Sequence, residues 1–139
     1  MNSVCAPEVA AGLQTFLAFD FGTQRTGVAV GNRLLRSTSP QSSIAESAAP
    51  KRLEQAAQRI KEWQPDALVV GVPFHPDGAD HENTLRARKF ARQLRAASRL
   101  PVFEVDERYS STEARSQGAR DVDAVAAQII LEQFLRSLP

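Results

Sequence analysis

The pattern of apolar and polar positions divides the chain into short, legible segments. Residues 1–14 have no periodicity and read as a flexible N-terminal tail. From Thr15 the pattern changes. Phe16-Leu17-Ala18-Phe19 is an apolar run closed by Asp20, and Thr26-Gly27-Val28-Ala29-Val30 follows after a glycine-bounded turn. Two such runs across a short turn predict a pair of antiparallel strands. A third strand is expected at 34–37, and the small polar residues from Ser37 to Pro50 read as a linker. Pro50 then opens a helix, since a missing N–H is harmless in the first turn. Leu53, Ala56, Ala57, Ile60 and Trp63 recur at helical spacing as its inward face, and Gln64-Pro65-Asp66 stops it.

Ala67-Leu68-Val69-Val70-Gly71-Val72 is a continuous apolar run, as expected of a strand buried on both faces. A loop with Pro76-Asp77-Gly78 as its turn leads to a second helix over 80–98. Pro101-Val102-Phe103-Glu104-Val105 is the next strand, ending at Asp106-Glu107-Arg108. The last helix starts near Asp121 and turns Val125, Ile129, Ile130, Phe134 and Leu135 inward. Three early strands followed by α-β-α-β-α predict an α/β domain over 15–139. Its central sheet is mixed and five-stranded, with helices packed on both faces.

Composition narrows the class. A chain of 139 residues with 42% hydrophobic and 24% charged residues can bury a core without disulfides or a structural metal. The single cysteine, Cys5, forms no internal disulfide, which fits a reducing compartment. No apolar run approaches the ~18 residues of a membrane span. No Lys or Arg precedes Arg25, so the charged start of a secretory signal is missing. A cytoplasmic protein with no membrane partner is expected.

The net charge is only +1, yet Lys51, Lys61 and Lys89 are the only lysines among 17 basic residues. An arginine excess suits bidentate phosphate contacts, and a GC-rich genome produces the same bias. Arg88, Arg92, Arg95 and Arg99 fall on one face of the second helix, with Phe90, Leu94 and Ala97 opposite, toward the sheet. Such a row binds phosphates without reading sequence. A solvated outer face gives the same pattern.

Three acids sit where elements begin or end: Asp20 closing the first strand, Glu107 closing the last, and Asp123 in the first turn of the last helix. In α/β sheets, ligands collect beyond the carboxyl ends of strands. Carboxylates gathered there repel one another unless a cation lies between them, and hard oxygen ligands suit Mg²⁺ or Mn²⁺ with phosphate as a further partner. Two ions about 3.5–4 Å apart activate a water on one side and stabilise the leaving oxygen on the other. Each acid also has a purely structural reading. Asp20 fits an Asx turn with Gly22, Glu107 a surface pair with Arg108, and Asp123 a charge at a helix N-terminus capped by Asp121.

The surrounding residues add to this. Phe19-Asp20-Phe21-Gly22-Thr23 with Arg25-Thr26-Gly27-Val28-Ala29 resembles the opening of the YqgF/RuvX family, within the RNase H-like superfamily. Gly71-Val72-Pro73 with Asp77-Gly78 resembles its next motif. Asp106-Glu107-Arg108 with Ser110-Ser111 and Ala114, then Asp123 with Ala126-Ala127 and Ile129-Ile130-Leu131, resemble the remaining two, in the same order. The resemblance implies an RNase H-like fold and a metal-dependent nuclease that matures the 5′ end of 16S ribosomal RNA. The alternative it implies is a resolvase of Holliday junctions.

On that pattern Asp20, Glu107 and Asp123 are the catalytic, metal-binding acids, holding two Mg²⁺ or Mn²⁺ ions. Strand alternation lets only one of Asp106 and Glu107 face the metals, and Glu107 is the choice here. Arg25 and Arg108 are placed to touch the scissile phosphate, and Ser110 to contact a phosphate oxygen or cap a short helix. Arg88, Arg92 and Arg95 would bind the nucleic-acid backbone. One departure is the short stretch between Ala114 and Asp123, where the family pattern implies a longer, basic one; it bears on the nucleic-acid contacts of that loop and not on the acids.

The expected partner is nucleic acid, precursor 16S rRNA first and branched DNA second, bound by a monomer or homodimer. A resolvase needs the dimer, because symmetric cuts take two active sites. A further alternative is a non-catalytic RNA-binding assembly factor, for which the arginines matter and the acids do not.

Overall fold

The computed structural model describes residues 12–22, 24–73, 82–107 and 122–138, with the side chains of Pro73 and Glu107 left out. Its centre is β1 (Thr15–Phe21), which pairs antiparallel with β2 (Thr26–Asn32) and parallel with β4 (Ala67–Pro73). β3 (Ser37–Ile44) closes one edge of the sheet against β2, and β5 (Val102–Glu107) closes the other against β4. The order is therefore β3-β2-β1-β4-β5, the mixed five-stranded sheet expected.

Alternation along the strands feeds two cores. Phe16, Ala18, Ala29 and Val69 face α3 (Val122–Arg136) and pack on Ile130, Leu131 and Phe134. Leu17, Phe19, Val28, Leu68 and Val70 face the other way, toward α1 (Ala49–Trp63) and α2 (Glu82–Ser98), and meet Ala56, Phe90, Ala91 and Leu94. Edge-to-face ring pairs tie each layer, Phe16 to Phe134 at 5.5 Å and Phe19 to Phe90 at 5.9 Å.

Four expectations need correction. The third strand is not 34–37: Leu34 and Leu35 sit in the turn, 80% and 73% exposed, and the supposed linker carries β3. As an edge strand largely open to solvent, β3 lacks the apolar alternation that marks a strand, and it tolerates Pro40, which has no N–H to give. Gln128 of α3 holds it by donating to the Thr38 carbonyl and hydroxyl at 3.3 and 3.1 Å.

Trp63, expected in the core, is 39% exposed at the last turn of α1, and Ala57 is exposed as well. The buried positions of that helix are Arg52 and Ala56. On α2, Ala97 is exposed, because the helix buries Thr84, Ala87, Phe90, Ala91 and Leu94 and its final turn runs past the sheet. Of the expected tail, residues 1–11 lie outside the described residues. Leu13 packs on the α3-side core, and Gln14 and Thr15 both donate their backbone N–H to Asp66 Oδ2 at 2.9 Å.

α3 docks on the sheet through the backbone of its first turn. A Cβ built on Gly27 of β2 collides with the carbonyl of Asp123 and lies 3.2 Å from the amide nitrogen of Ala124. Glycine is thus what lets helix and strand backbones touch here.

Two predictions follow from these contacts. Gly27→Ala pushes the first turn of α3 off the sheet and costs about 1–3 kcal/mol, read as a lower urea midpoint; an unchanged midpoint contradicts the seating. The second concerns Asp66, whose carboxyl is held below its ordinary range by the N–H groups of Thr15 and Gln14. A folded-state value below the unfolded one stabilises fully above about pH 4 and fades as pH falls through the lowered value. Asp66→Ala should therefore cost on the order of 1 kcal/mol at pH 7. The gap from the parent protein should narrow in unfolding curves taken near pH 3; a gap that widens toward acid refutes the assignment.

Candidate active site

Asp20 ends the buried part of β1, in phase with Phe16 and Ala18, and so lies on the α3 face of the sheet. It is 7% exposed. Its cross-strand partners are Gly27 on β2 and Gly71 on β4, so no side chain stands beside it on either neighbouring strand. A Cβ on Gly71 would lie 3.7 Å from Asp20 Oδ1 and 2.6 Å from Ile130 Cδ1. The two glycines thus flank the carboxylate with open backbone on one side and the side of α3 on the other.

Because the first turn of α3 rests on Gly27, Asp123 arrives beside the strand position paired with Asp20. Arg25, from the turn between β1 and β2, reaches the same place: its Nε lies 3.2 Å from Asp123 Oδ2. That turn is closed by the Gly22 N–H donating to the Arg25 carbonyl at 2.9 Å. The structure thus brings Asp123, from far along the chain, to the β1–β2 turn that carries Asp20 and Arg25.

The alternation of β5 sets its two terminal acid positions in opposite phase. Phe103 and Val105 pack toward the α3-side core, whereas Glu104 and Asp106 alternate with them and are exposed. Position 107 is in phase with 103 and 105, and the register sets it beside Pro73, two residues beyond Gly71 on β4. Position 106 belongs to the opposite face.

A site of carboxylate oxygens at strand ends matches hard divalent cations in donor chemistry. Asp20 and Asp123 around the bare Gly27 backbone fit that donor set. Among the described residues, no group of three acidic, His or Cys side chains is gathered tightly enough to hold an ion. Arg108, Ser110 and the 74–81 loop lie outside the described residues.

The arginine row is split. Arg88 Nε lies 3.7 Å from Glu104 Oε1, and Arg95 Nη2 donates to the Val102 carbonyl at 3.1 Å, so both lean on the β5 edge. Arg92 is exposed, and Arg99 has left the helical face as a left-handed residue, φ 62°, after the last turn.

Sequence reasoning missed Arg52. It occupies a core position of α1, 2% exposed, and donates to the backbone carbonyls of Gly22, Glu46 and Ser47 while stacking 4.3 Å over the Phe21 ring. It thereby ties the turn that follows Asp20 to the start of α1. The signal was available: an arginine at the i−4 position from the buried Ala56, in phase with the apolar stripe.

Comparison with known proteins gives the family. The family model described as "RuvX: Holliday junction resolvase" matches residues 14–137. A protein of Polaromonas sp. named "Putative pre-16S rRNA nuclease" is 66% identical over the full length of both chains, 139 residues. One of the same name from Albidiferax ferrireducens is 70% identical over 130 residues, 94% of this chain and 83% of the relative. Among solved structures, a fowlpox virus Holliday junction resolvase is similar with a TM-score of 0.58 at 10% identity, over 89% of this chain and 99% of that one. RuvC of Thermus thermophilus, solved with a Holliday junction substrate, gives 0.53 at 15% identity over 88% and 95%. The structural likenesses establish the fold as RNase H-like, the sequence relatives carry the rest, and the chain belongs to the RuvX family of nucleases.

Proposed function

We propose that this nuclease hydrolyses phosphodiester bonds at the 5′ end of precursor 16S rRNA, in the cytoplasm, using divalent ions held by Asp20, Glu107 and Asp123. The observation that carries the reading is the seating of α3 on Gly27, which sets Asp123 beside the strand pair that holds Asp20. The alternation of β5 supports Glu107 over Asp106 as the third acid. The substrate class is supported by the names of the two relatives. No helix among the described residues is long and apolar enough to cross a membrane.

Mg²⁺ or Mn²⁺ ions, when bound, supply an activated water and neutralise charge on the leaving oxygen. The chain's own residues hold and orient. Asp20, fixed on the central strand, is the rigid ligand, and Asp123 joins it through the docked helix. Arg25, 3.2 Å from Asp123 on an exposed turn, is within reach of a phosphate lying over the acids and would orient it by charge-assisted hydrogen bonds. Arg108 and Ser110 would complete the phosphate contacts, and Arg88, Arg92 and Arg95 would meet the backbone further along the substrate.

The description of the family model favours a second substrate, a four-way DNA junction, cut by a homodimer. The test sets both substrates side by side with Mg²⁺ or Mn²⁺. Asp20→Asn and Glu107→Gln should lower cleavage of an RNA spanning the 5′ end of precursor 16S rRNA by at least about 10²-fold. Asp106→Asn should cleave as the parent does, and chelation should abolish cleavage until metal is restored. Junction cleavage with intact RNA moves the substrate to DNA. An active Asp20→Asn protein sinks the metal assignment, and RNA binding without cleavage leaves an assembly factor.

A further inference from the structure

On the face of the sheet opposite Asp20, α1 and α2 border a cavity of about 350 Å³ lined by Phe21, Arg52, Arg86, Lys89, Phe90 and Gln93, among others. The volume lies at the lower end of the range for small-molecule sites, about 300–1,000 Å³, and suits a single nucleotide better than a duplex. Three of these residues are cationic, and none of the described lining residues is acidic.

Arg52 is committed to the carbonyls of Gly22, Glu46 and Ser47, so Arg86 and Lys89 are the cations this cavity offers to a ligand. The pair of Arg86 with Glu82, 3.1 Å apart, joins two exposed side chains one helical turn apart, an arrangement that binds weakly and is screened by solvent. Arg52 is held below its ordinary pKa first by burial and then by the charge of Arg86, so the two guanidinium groups sense each other across the cavity. Both stay charged, since arginine keeps its proton in proteins. An anion entering here relieves that repulsion.

The rest of the wall is Phe21 and Phe90 with Ser47, Ala49 and Gln93. The Phe21 and Phe90 rings are 5.4 Å apart and tilted by 45°, and Arg52 covers the Phe21 ring. Cations beside aromatic rings are the combination that holds a phosphate and stacks a base. The placement matters as much as the lining. Phe21 follows Asp20 directly, and alternation sends the two residues to opposite faces of β1. The cavity and the candidate active site therefore lie at the same end of β1, on opposite faces of the sheet.

We propose that this cavity is a second subsite that takes one nucleoside phosphate, with the phosphate on Arg86 and Lys89 and the base beside Phe21. It is distinct from the arginine row, which flanks the buried face of α2 on the β5 side. As a subsite for the substrate strand it rests on the nuclease reading; as a site for a nucleoside phosphate it does not.

The test is binding without metal, in chelator, so that cleavage plays no part. The probe is a short labelled single-stranded RNA followed by fluorescence anisotropy, with adenosine 5′-monophosphate as competitor. Arg86→Glu and Lys89→Glu are compared with Lys61→Glu, which makes the same change of charge near the other end of α1. Urea midpoints confirm that each variant folds. Arg86→Glu and Lys89→Glu should each weaken RNA binding by about tenfold, the loss of one charge-assisted contact, and flatten its salt dependence by ~0.7 per contact. Lys61→Glu should bind as the parent does.

If the mononucleotide displaces RNA from the parent, the cavity also accepts free nucleotides. If it does not, while binding still depends on Arg86 and Lys89, the strand is the ligand. Equal binding by all four proteins overturns the subsite, as does equal weakening by Lys61→Glu. Cleavage by the parent alongside unaltered binding by Arg86→Glu and Lys89→Glu would remove the subsite and keep the nuclease. Cavity-dependent binding with no cleavage would do the reverse.

Discussion

The contact between Gly27 and the backbone of Asp123 is the constraint on which the rest of this molecule depends. A helix normally rests on a sheet through side chains; here its first turn touches the strand itself. That closeness fixes where α3 begins, and so which acid comes next to Asp20. It also brings the positive end of the helix dipole to a face carrying carboxylates, which lowers the cost of gathering them. Gly71 completes the arrangement on the other side of Asp20, clearing room for Ile130. Packing and chemistry therefore use the same two glycines, and neither is replaceable without disturbing both.

Arg52 performs the corresponding task on the opposite face. Burying a cation is costly unless its donors are satisfied. Here three backbone carbonyls accept from it and the Phe21 ring lies beneath it. One of those carbonyls belongs to Gly22, so the turn carrying Arg25 is braced from below by α1. The end of β1 is thus held twice, by a helix backbone above Gly27 and by a buried guanidinium beneath Gly22. A site built on a turn gains the rigidity of the scaffold by this means.

How much of this was legible in the sequence depends on what each residue's environment does to its neighbours. β1, β2, β4 and β5 announce themselves because burial leaves apolar runs. β3 does not, because an edge strand open to solvent has no reason to alternate, and the exposed Leu34 and Leu35 drew the expectation to the turn instead. Asp20 was legible as a charge ending a buried run. The half-buried alternation of β5 was legible too, and it puts positions 106 and 107 in opposite phase. Arg52 was legible only in its phase with the apolar stripe; what it binds was not, because the carbonyls it serves are brought together by the fold. The split of the arginine row has the same origin, since the β5 groups that Arg88 and Arg95 meet are distant in pattern and close only in space.

The pair of Arg25 and Asp123 shows why strength is not the useful property at the acidic face. Its side chains are 51% and 39% exposed, so water and salt screen the attraction, and such pairs contribute roughly 0–1 kcal/mol. Asp20, by contrast, is almost wholly buried on the central strand of the sheet. On the proposed reading, a rigid carboxylate beside a weakly tied one would give one fixed ligand and one whose partner is exchanged at little cost. A tight, buried Arg25–Asp123 pair would have to be broken before either group met a phosphate or a cation. An exposed pair leaves that exchange nearly neutral in free energy, and the geometry of the site survives it because Gly27, not the ion pair, holds α3 in place.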